Sequence, residues 1–318
     1  MEQILDTTPG IATIRSRTSL ASQIVTVVAV AIPPFGLISA MGLFWGVGFG
    51  PAALAALVVM YVLCGLGITV GFHRLFTHKS FETTRSVKAL WAILGCMAMQ
   101  GPLTQWVTDH RKHHALSDQD GDPHSPHAGR GEGLWSLALG LVHAHVGWLF
   151  HTKGLERGVH YGRDLYADRM IRTIDRLYLV WVGVTLGIPF LIGYGAGAGS
   201  VRLGLEAMVW GGILRIFLFQ HVTWSINSIC HAFGTRPYKT RDESRNVWVL
   251  ALPSFGESWH NNHHAFPSSA VHGLDPRQLD VSALVIRGLE KLGLAWDVKR
   301  PDGTQRMRRR AHGPAFGP

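Results

Sequence analysis

Residues 18–72 read TSLASQIVTVVAVAIPPFGLISAMGLFWGVGFGPAALAALVVMYVLCGLGITVGF, 55 positions without one Asp, Glu, Lys, Arg or His. A helix rises about 1.5 Å per residue, so this run extends roughly 80 Å, against a hydrocarbon core of about 30 Å. It therefore reads as two membrane spans, about 24–45 and 51–72, with a turn in Trp45-Gly46-Val47-Gly48-Phe49-Gly50. Two further apolar blocks follow, Leu177–Val201 and Leu203–Asn227, the second interrupted by Glu206 and Arg215. They give spans at about 177–199 and 204–227. The expected fold is an all-α integral membrane protein of four transmembrane helices. Runs this long exceed the core helices of soluble proteins, and the first outruns the h-region of a signal peptide.

The composition agrees. Only 16% of the 318 residues are charged and 47% are hydrophobic, while the three Cys provide no disulfide scaffold, zinc ribbon or iron–sulfur set. The net charge of +9 is distributed by topology. Arg15 and Arg17 precede the first span, 12 Lys/Arg lie between Arg74 and Arg172, and 13 follow Asn227; only Arg202 falls in a loop on the far side. The positive-inside rule then places both termini and the 73–176 segment in the cytoplasm. Nothing else supports nucleic-acid binding. Residues 1–300 read as one membrane domain. Residues 301–318, with Arg306 and Arg308-Arg309-Arg310, read as a disordered basic tail near anionic lipid. Two apolar stretches that cannot span in this topology, 89–107 with its internal Gly101-Pro102 and 133–150, are expected at the interface.

Three histidine clusters carry the chemistry: His73-Arg-Leu-Phe-Thr-His78, His110-Arg-Lys-His113-His114 and His260-Asn-Asn-His263-His264. On a helix, positions i, i+3 and i+4 share one face, so each of the last two aims three imidazoles the same way. His73 and His78, five apart, reach a common point only where the helix ends or distorts. Eight imidazoles suit more than one transition-metal ion. The four-span topology has an even number of crossings between clusters, which brings all three to one side. A zinc protease would need His-Glu-x-x-His, which is absent, and a soluble di-iron carboxylate bundle needs two Glu-x-x-His strings where this chain has only Glu257-Ser-Trp-His260. A metal transporter would be expected to place its ligands inside the bilayer rather than at span ends.

With these motifs in this order, the sequence resembles the membrane-bound fatty-acid desaturases, in the Δ9 acyl-CoA/acyl-lipid branch related to stearoyl-CoA desaturase, over roughly residues 20–295. The family's further NxxxH element matches Asn227-Ser-Ile-Cys-His231, preceded by Thr223-Trp224. The resemblance implies a cytoplasmic helical cap holding two iron ions. One would be held by His73, His78, His114 and His264, with Asn227 acting through a water. The other would be held by His110, His113, His231, His260 and His263. It also implies substrate residues: Tyr61 closing the acyl tunnel, small Gly65 one turn nearer the metal, and Gln100, Trp106, Thr223 and Trp224 bending the chain. Arg215 matches a family position too and reads as structural, paired with a polar neighbour.

Removing two hydrogens from an alkyl chain breaks C–H bonds with neither an acidic proton nor a leaving group, so the oxidant must be O2 used at a metal. The implied reaction inserts a cis double bond into a C16–C18 acyl-CoA or acyl-lipid; hydroxylation by a related membrane oxygenase shares the boxes. Tyr61 lies 12 residues before His73, about 18 Å along a helix, which fits the methyl-end half of an 18-carbon chain. Asp109, Glu257 and the Asp118–Asp122 loop are candidate carboxylates to orient the imidazoles. The chain has no nucleotide-binding glycine turn, iron–sulfur cysteine set or haem segment. Two electrons per double bond must therefore come from a separate ferredoxin, cytochrome b5-like protein or flavin reductase, with Arg111, Lys112, Arg236, Lys239, Arg241 and Arg245 available to an acidic partner or to coenzyme A phosphates. His124, His127, His143, His145, His151, His160, His221, His272 and His312 read as structural or surface residues.

Overall fold

The computed structural model describes residues 50–150 and 160–311, with scattered positions before them. The expected span 24–45 lies largely outside the described residues. The protein is mostly helical, and the chain divides into two compact units, residues 1–67, 92–105 and 149–221 in the first, and 68–91, 106–148 and 222–318 in the second.

Among the described residues two helices are long and apolar enough to cross a membrane, Pro51–Thr77 and Tyr178–Ala196. They correspond to the second and third expected spans. The fourth does not appear as one apolar helix. Residues 201–228 instead run through Val201–Met208, a π-helical turn Val209–Leu214 and Arg215–Ser228, and they carry Arg202, Glu206 and Arg215. Four transmembrane helices therefore exceed what the described residues establish.

In the first unit small residues let helices approach at backbone distance, as membrane helices do when no hydrophobic effect drives them together. Ala53, Ala56 and Ala207 form its buried centre, with Ile192 and Trp210 packed against it. Gly193 faces the Leu203 carbonyl, and Gly211 faces Ala56 and Pro189. A Cβ on Gly211 would sit 2.8 Å from the Ala56 Cβ and 2.9 Å from the Pro189 Cβ. Gly211→Val is therefore expected to cost about 1–3 kcal/mol by overpacking, read as a lower melting temperature in detergent. On the other face Leu179 (80% exposed), Leu191 and Val180 stand outward, the pattern of a lipid-facing helix. Arg215 is fully buried; its Nη2 donates to Thr185 Oγ1 at 2.6 Å, and Thr185 in turn donates to the Met97 carbonyl at 2.8 Å. The polar partner expected for Arg215 is thus Thr185.

The apolar stretch 89–107 is broken as its Gly-Pro foretold. Helix Arg85–Met97 ends, Met99 and Gly101 take positive φ (60° and 103°), and helix Leu103–Leu116 begins. Asp175 accepts from the backbone N–H of Leu103 (2.9 Å) and Thr104 (3.1 Å), satisfying orphan donors at the start of the helix that carries the second histidine box.

The second unit holds all three boxes. A two-stranded pairing of Glu82–Thr83 with Ala295–Trp296 ties its early and late segments together. The segment read as a disordered tail differs from that reading over residues 301–311. Helix Gly303–Arg309 is closed by a capping box between Asp302 and Gln305, and Lys239 N–H donates to the Arg309 carbonyl at 2.7 Å. Residues 312–318 lie outside the described residues.

Candidate metal centre

Helix Pro51–Leu66 passes into a π-helical stretch, Gly67–Thr77, whose i→i+5 bonding continues as His78 N–H to the His73 carbonyl at 3.1 Å. This is the distortion that the five-residue spacing requires. Residues five apart fall on one side, and the His73 and His78 rings come within 4.9 Å. His110, His113 and His114 sit in the last two turns of Leu103–Leu116, His231 ends the 3₁₀ turn Ile229–His231, and His260, His263 and His264 lie on Trp259-capped helix His260–Ala265.

The nine imidazoles converge in two groups whose ligand atoms all lie within 4.8 Å of one another: His73, His78, His110, His114 and His263, and then His113, His231, His260 and His264. The partition differs from the one the resemblance implies, because side chains one turn apart meet at one point while the i+3 member turns aside. His110 and His114 bring their Nε2 atoms to 3.1 Å, and His260 and His264 to 3.0 Å. His113 leaves its box for the second group, and His263 leaves its own for the first. His110 and His263 therefore belong with His73, and His264 with His113. Asn227 is half-buried near the end of helix Arg215–Ser228, one turn before His231.

Carboxylates stand behind the imidazoles. Asp118 bonds His231 Nδ1 at 2.9 Å, Asp242 bonds His264 Nδ1 at 2.7 Å, Asp122 bonds His113 Nδ1 at 3.0 Å, and Glu257 pairs with His73 Nδ1. Such partners fix the ring and its tautomer. Glu257 is itself held by buried Arg74, whose guanidinium also reaches Asp280 (3.0 Å), the Ala270 carbonyl (2.9 Å) and His272 Nδ1 (3.1 Å). Of the carboxylates expected from sequence, Asp118, Asp122 and Glu257 take these positions, Asp109 is buried, and Asp242 was missed. So were His124, whose ring lies 4.3 Å from that of His113, and His272, 4.5 Å from that of His263. His127 donates to the His231 carbonyl (2.7 Å), and His145 bonds Ser228 (3.1 Å). The signal for His124 was its place two residues after Asp122; nothing in the local sequence marked Asp242.

Burial, reinforced by neighbouring imidazoles, lowers His78, His110, His113, His114, His260 and His263 well below the ordinary histidine value. They are neutral near pH 7. Burial alone would raise Asp118 and Asp242, but bonds from His231 and His264 hold both well below the usual carboxylate range. Burial pushes Asp122 up to about 7. Donation of Nδ1–H to an ionised carboxylate leaves Nε2 of His231 and His264 as lone pairs, both 3.0 Å from Nε2 of His260. One neutral His260 supplies at most one hydrogen to this meeting, whereas a metal cation satisfies all three nitrogens. Burial would lower His231, but its hydrogen bond to Asp118 and the nearby carboxylates raise it. In the first group His78 Nε2 is buried without a hydrogen-bond partner. The donor set fits transition-metal ions that favour imidazole.

The expected substrate residues fall in both units. In the first, the Tyr61 ring meets Phe219 edge-on at 5.4 Å, Gly65 is buried and Gln100 is half-buried. In the second, Trp106 stacks on His110 at 5.0 Å, Trp224 faces His145 at 5.8 Å and Thr223 is half-buried.

A family model described as fatty acid desaturase matches residues 48–283. The chain is 45% identical over 272 residues to a hex-5-enoyl-[acyl-carrier protein] acetylenase of Moorena producens (strain JHB), covering 85% of this chain and 84% of that protein. It is 43% identical to Delta-9 acyl-lipid desaturase 1 of Arabidopsis thaliana (81% and 78% covered) and 37% identical to sn-1 stearoyl-lipid 9-desaturase of Anabaena variabilis (79% and 85%). With its paired histidine groups and its apolar helices, the chain belongs to the fatty acid desaturase family, and it is an oxidoreductase of that membrane-associated family.

Proposed function

We propose that the protein inserts a cis double bond at the Δ9 position of a C16–C18 acyl-lipid or acyl-CoA, using O2 and two iron ions. The observation that carries this reading is the convergence of nine neutral or carboxylate-backed imidazoles into two adjacent groups. His73, His78, His110, His114 and His263 would hold one ion, and His113, His231, His260 and His264 the other, with Asn227 acting through a water. The metal pair, when bound, supplies oxidation of unactivated C–H bonds by O2. The chain's own residues do the rest. Asp118, Asp122, Asp242 and Glu257 hold the rings in register, and the buried surroundings exclude water. Trp106, against His110, with Gln100, Thr223 and Trp224, orients the acyl chain.

The remaining spans at 24–45 and 204–227, with both termini and the site on the cytoplasmic face, complete this reading. Tyr61, twelve residues before His73 on the continuous helix Pro51–Thr77, stands at the methyl end of the acyl chain, with Gly65 leaving room beside it. Tyr61→Ala is expected to shift preference beyond 18 carbons, read from product chain lengths when C16 to C22 substrates compete.

Purified protein in nanodiscs, given reductant, O2, stearoyl-CoA and stearoyl lipid, is expected to yield a Δ9 alkene located by mass spectrometry. The 45% identity to an acetylenase favours a second reading, removal of two hydrogens from an existing double bond. An alkyne from an enoyl substrate, with no product from the saturated one, would establish that reading instead. A hydroxylated chain would establish the oxygenase.

A further inference from the structure

We propose that a basic groove beside the third histidine box is the docking site of an acidic one-electron carrier protein. The inference rests on the desaturase reading. O2 takes four electrons in becoming two waters. Two leave the acyl chain as its C–H bonds break and C=C forms, and two must come, with two protons, from a donor. The groove is a cavity of about 710 Å³ in the second unit, lined among others by Ala265, Phe266, Lys299, Arg300, Arg308 and Arg309. Glu290 neutralises Arg300 through Oε2 at 2.5 Å. Lys299, Arg308 and Arg309 have no carboxylate at ion-pair distance among the described residues: Lys299 Nζ donates to the Lys79 carbonyl at 2.7 Å, and Arg309 to the Ala265 carbonyl.

Position makes this charge an entry point. Ala265 is covalently joined to His264, a member of the second imidazole group, and the Arg309 guanidinium lies 5.5 Å from the Phe266 ring centroid. The groove wall thus reaches a ligand residue within one peptide link, about 3.8 Å between Cα atoms. An electron carrier seated in the groove would have that one link as its path to a ligand residue; an anionic lipid headgroup is the competing occupant that the test separates. Three of the six basic residues that sequence alone suggested are engaged elsewhere: Arg111 donates to the Phe76 carbonyl (2.7 Å), and Arg236 and Arg245 share Glu243 (2.8 and 3.2 Å).

The test uses the full chain in nanodiscs with Lys299→Glu and Arg308→Glu combined, since neither side chain touches a histidine. Two reductants are compared, a reduced [2Fe–2S] ferredoxin as the acidic probe and reduced methyl viologen as the small one. With ferredoxin, kcat/KM for the carrier is expected to fall about tenfold or more, with a flattened salt dependence and a matching loss of ferredoxin affinity, while the viologen-driven rate is unchanged. An unchanged ferredoxin rate overturns the proposal. So does an equal fall with both reductants at unchanged affinity, which makes the residues structural. A fall seen in bilayers of anionic lipid but not in neutral phosphatidylcholine assigns the groove to lipid and likewise overturns it. If the parent forms no product with either reductant, the desaturase reading fails, and salt-dependent ferredoxin affinity alone decides the groove: loss in the double variant upholds it, and equal affinity overturns it.

Discussion

Replacement of His113 by alanine is expected to leave an inserted chain that holds one metal ion fewer and makes at least about 100-fold less product. His113 belongs to the four-imidazole group, and the three remaining rings do not close around an ion as four do. Changes to residues merely behind a ligand cost 10–100-fold in affinity or activity, so losing the ligand itself costs no less. Asp122→Asn, which keeps the ring but weakens its Nδ1 partner, is expected within that 10–100-fold range. His263→Ala is expected to weaken metal binding at the other group, where four of five rings remain, and to spare this one. Metal content by elemental mass spectrometry, beside product yield, checks all three. Loss of the same ion in His113→Ala and His263→Ala would overturn the partition.

Acid is expected to unfold the metal-free chain steeply below about pH 6.5. Seven buried histidines, the six neutral ligands and His272, have folded-state values well below their unfolded one. Between the two values the unfolded chain binds more protons, so stability rises with pH and is lost as pH falls through 6.5. Each such group contributes roughly 1.4 kcal/mol per pH unit. His231, raised by Asp118 against its burial, has the opposite sign, and its contribution is lost as pH rises above 6.5, outside the acid window. Bound metal meets the same competition, since ligands must be unprotonated, so the loaded enzyme is expected to release metal over that window. Melting temperatures of metal-free protein at pH 7.5, 6.5 and 5.5 measure the effect; a flat profile would mean the imidazoles are not held neutral.

The boxes were legible because their spacing is a helical spacing, and the break at Gly101-Pro102 because glycine and proline state their own geometry. What escaped depends on side-chain direction or on distance along the chain. The i+3 histidine of each HxxHH box turns to the opposite group, which no count of residues reveals. Asp242 lies 22 positions before His264 and meets it only in the folded cap. Arg74 looked like one more cytoplasmic charge, yet it is fully buried and anchors Glu257 behind His73. The run Arg308-Arg309-Arg310 hid a structured segment whose capping signal, Asp302 and Gln305, was present three residues apart. The segment 201–228 was harder to judge, because its charges and its π-helical turn weaken the apolar signal that marks a span.

Both imidazole groups are closed by residues from opposite ends of the chain, His73 by His263 and His113 by His264. A nascent polypeptide therefore threads its first helices into the bilayer long before either set is complete. A chain that stops before residue 260 carries four of the five rings of the first group but only His113 and His231 of the second, and Arg74 waits equally for Ala270 and Asp280. The second group is accordingly the last to assemble, and prematurely terminated chains lack it.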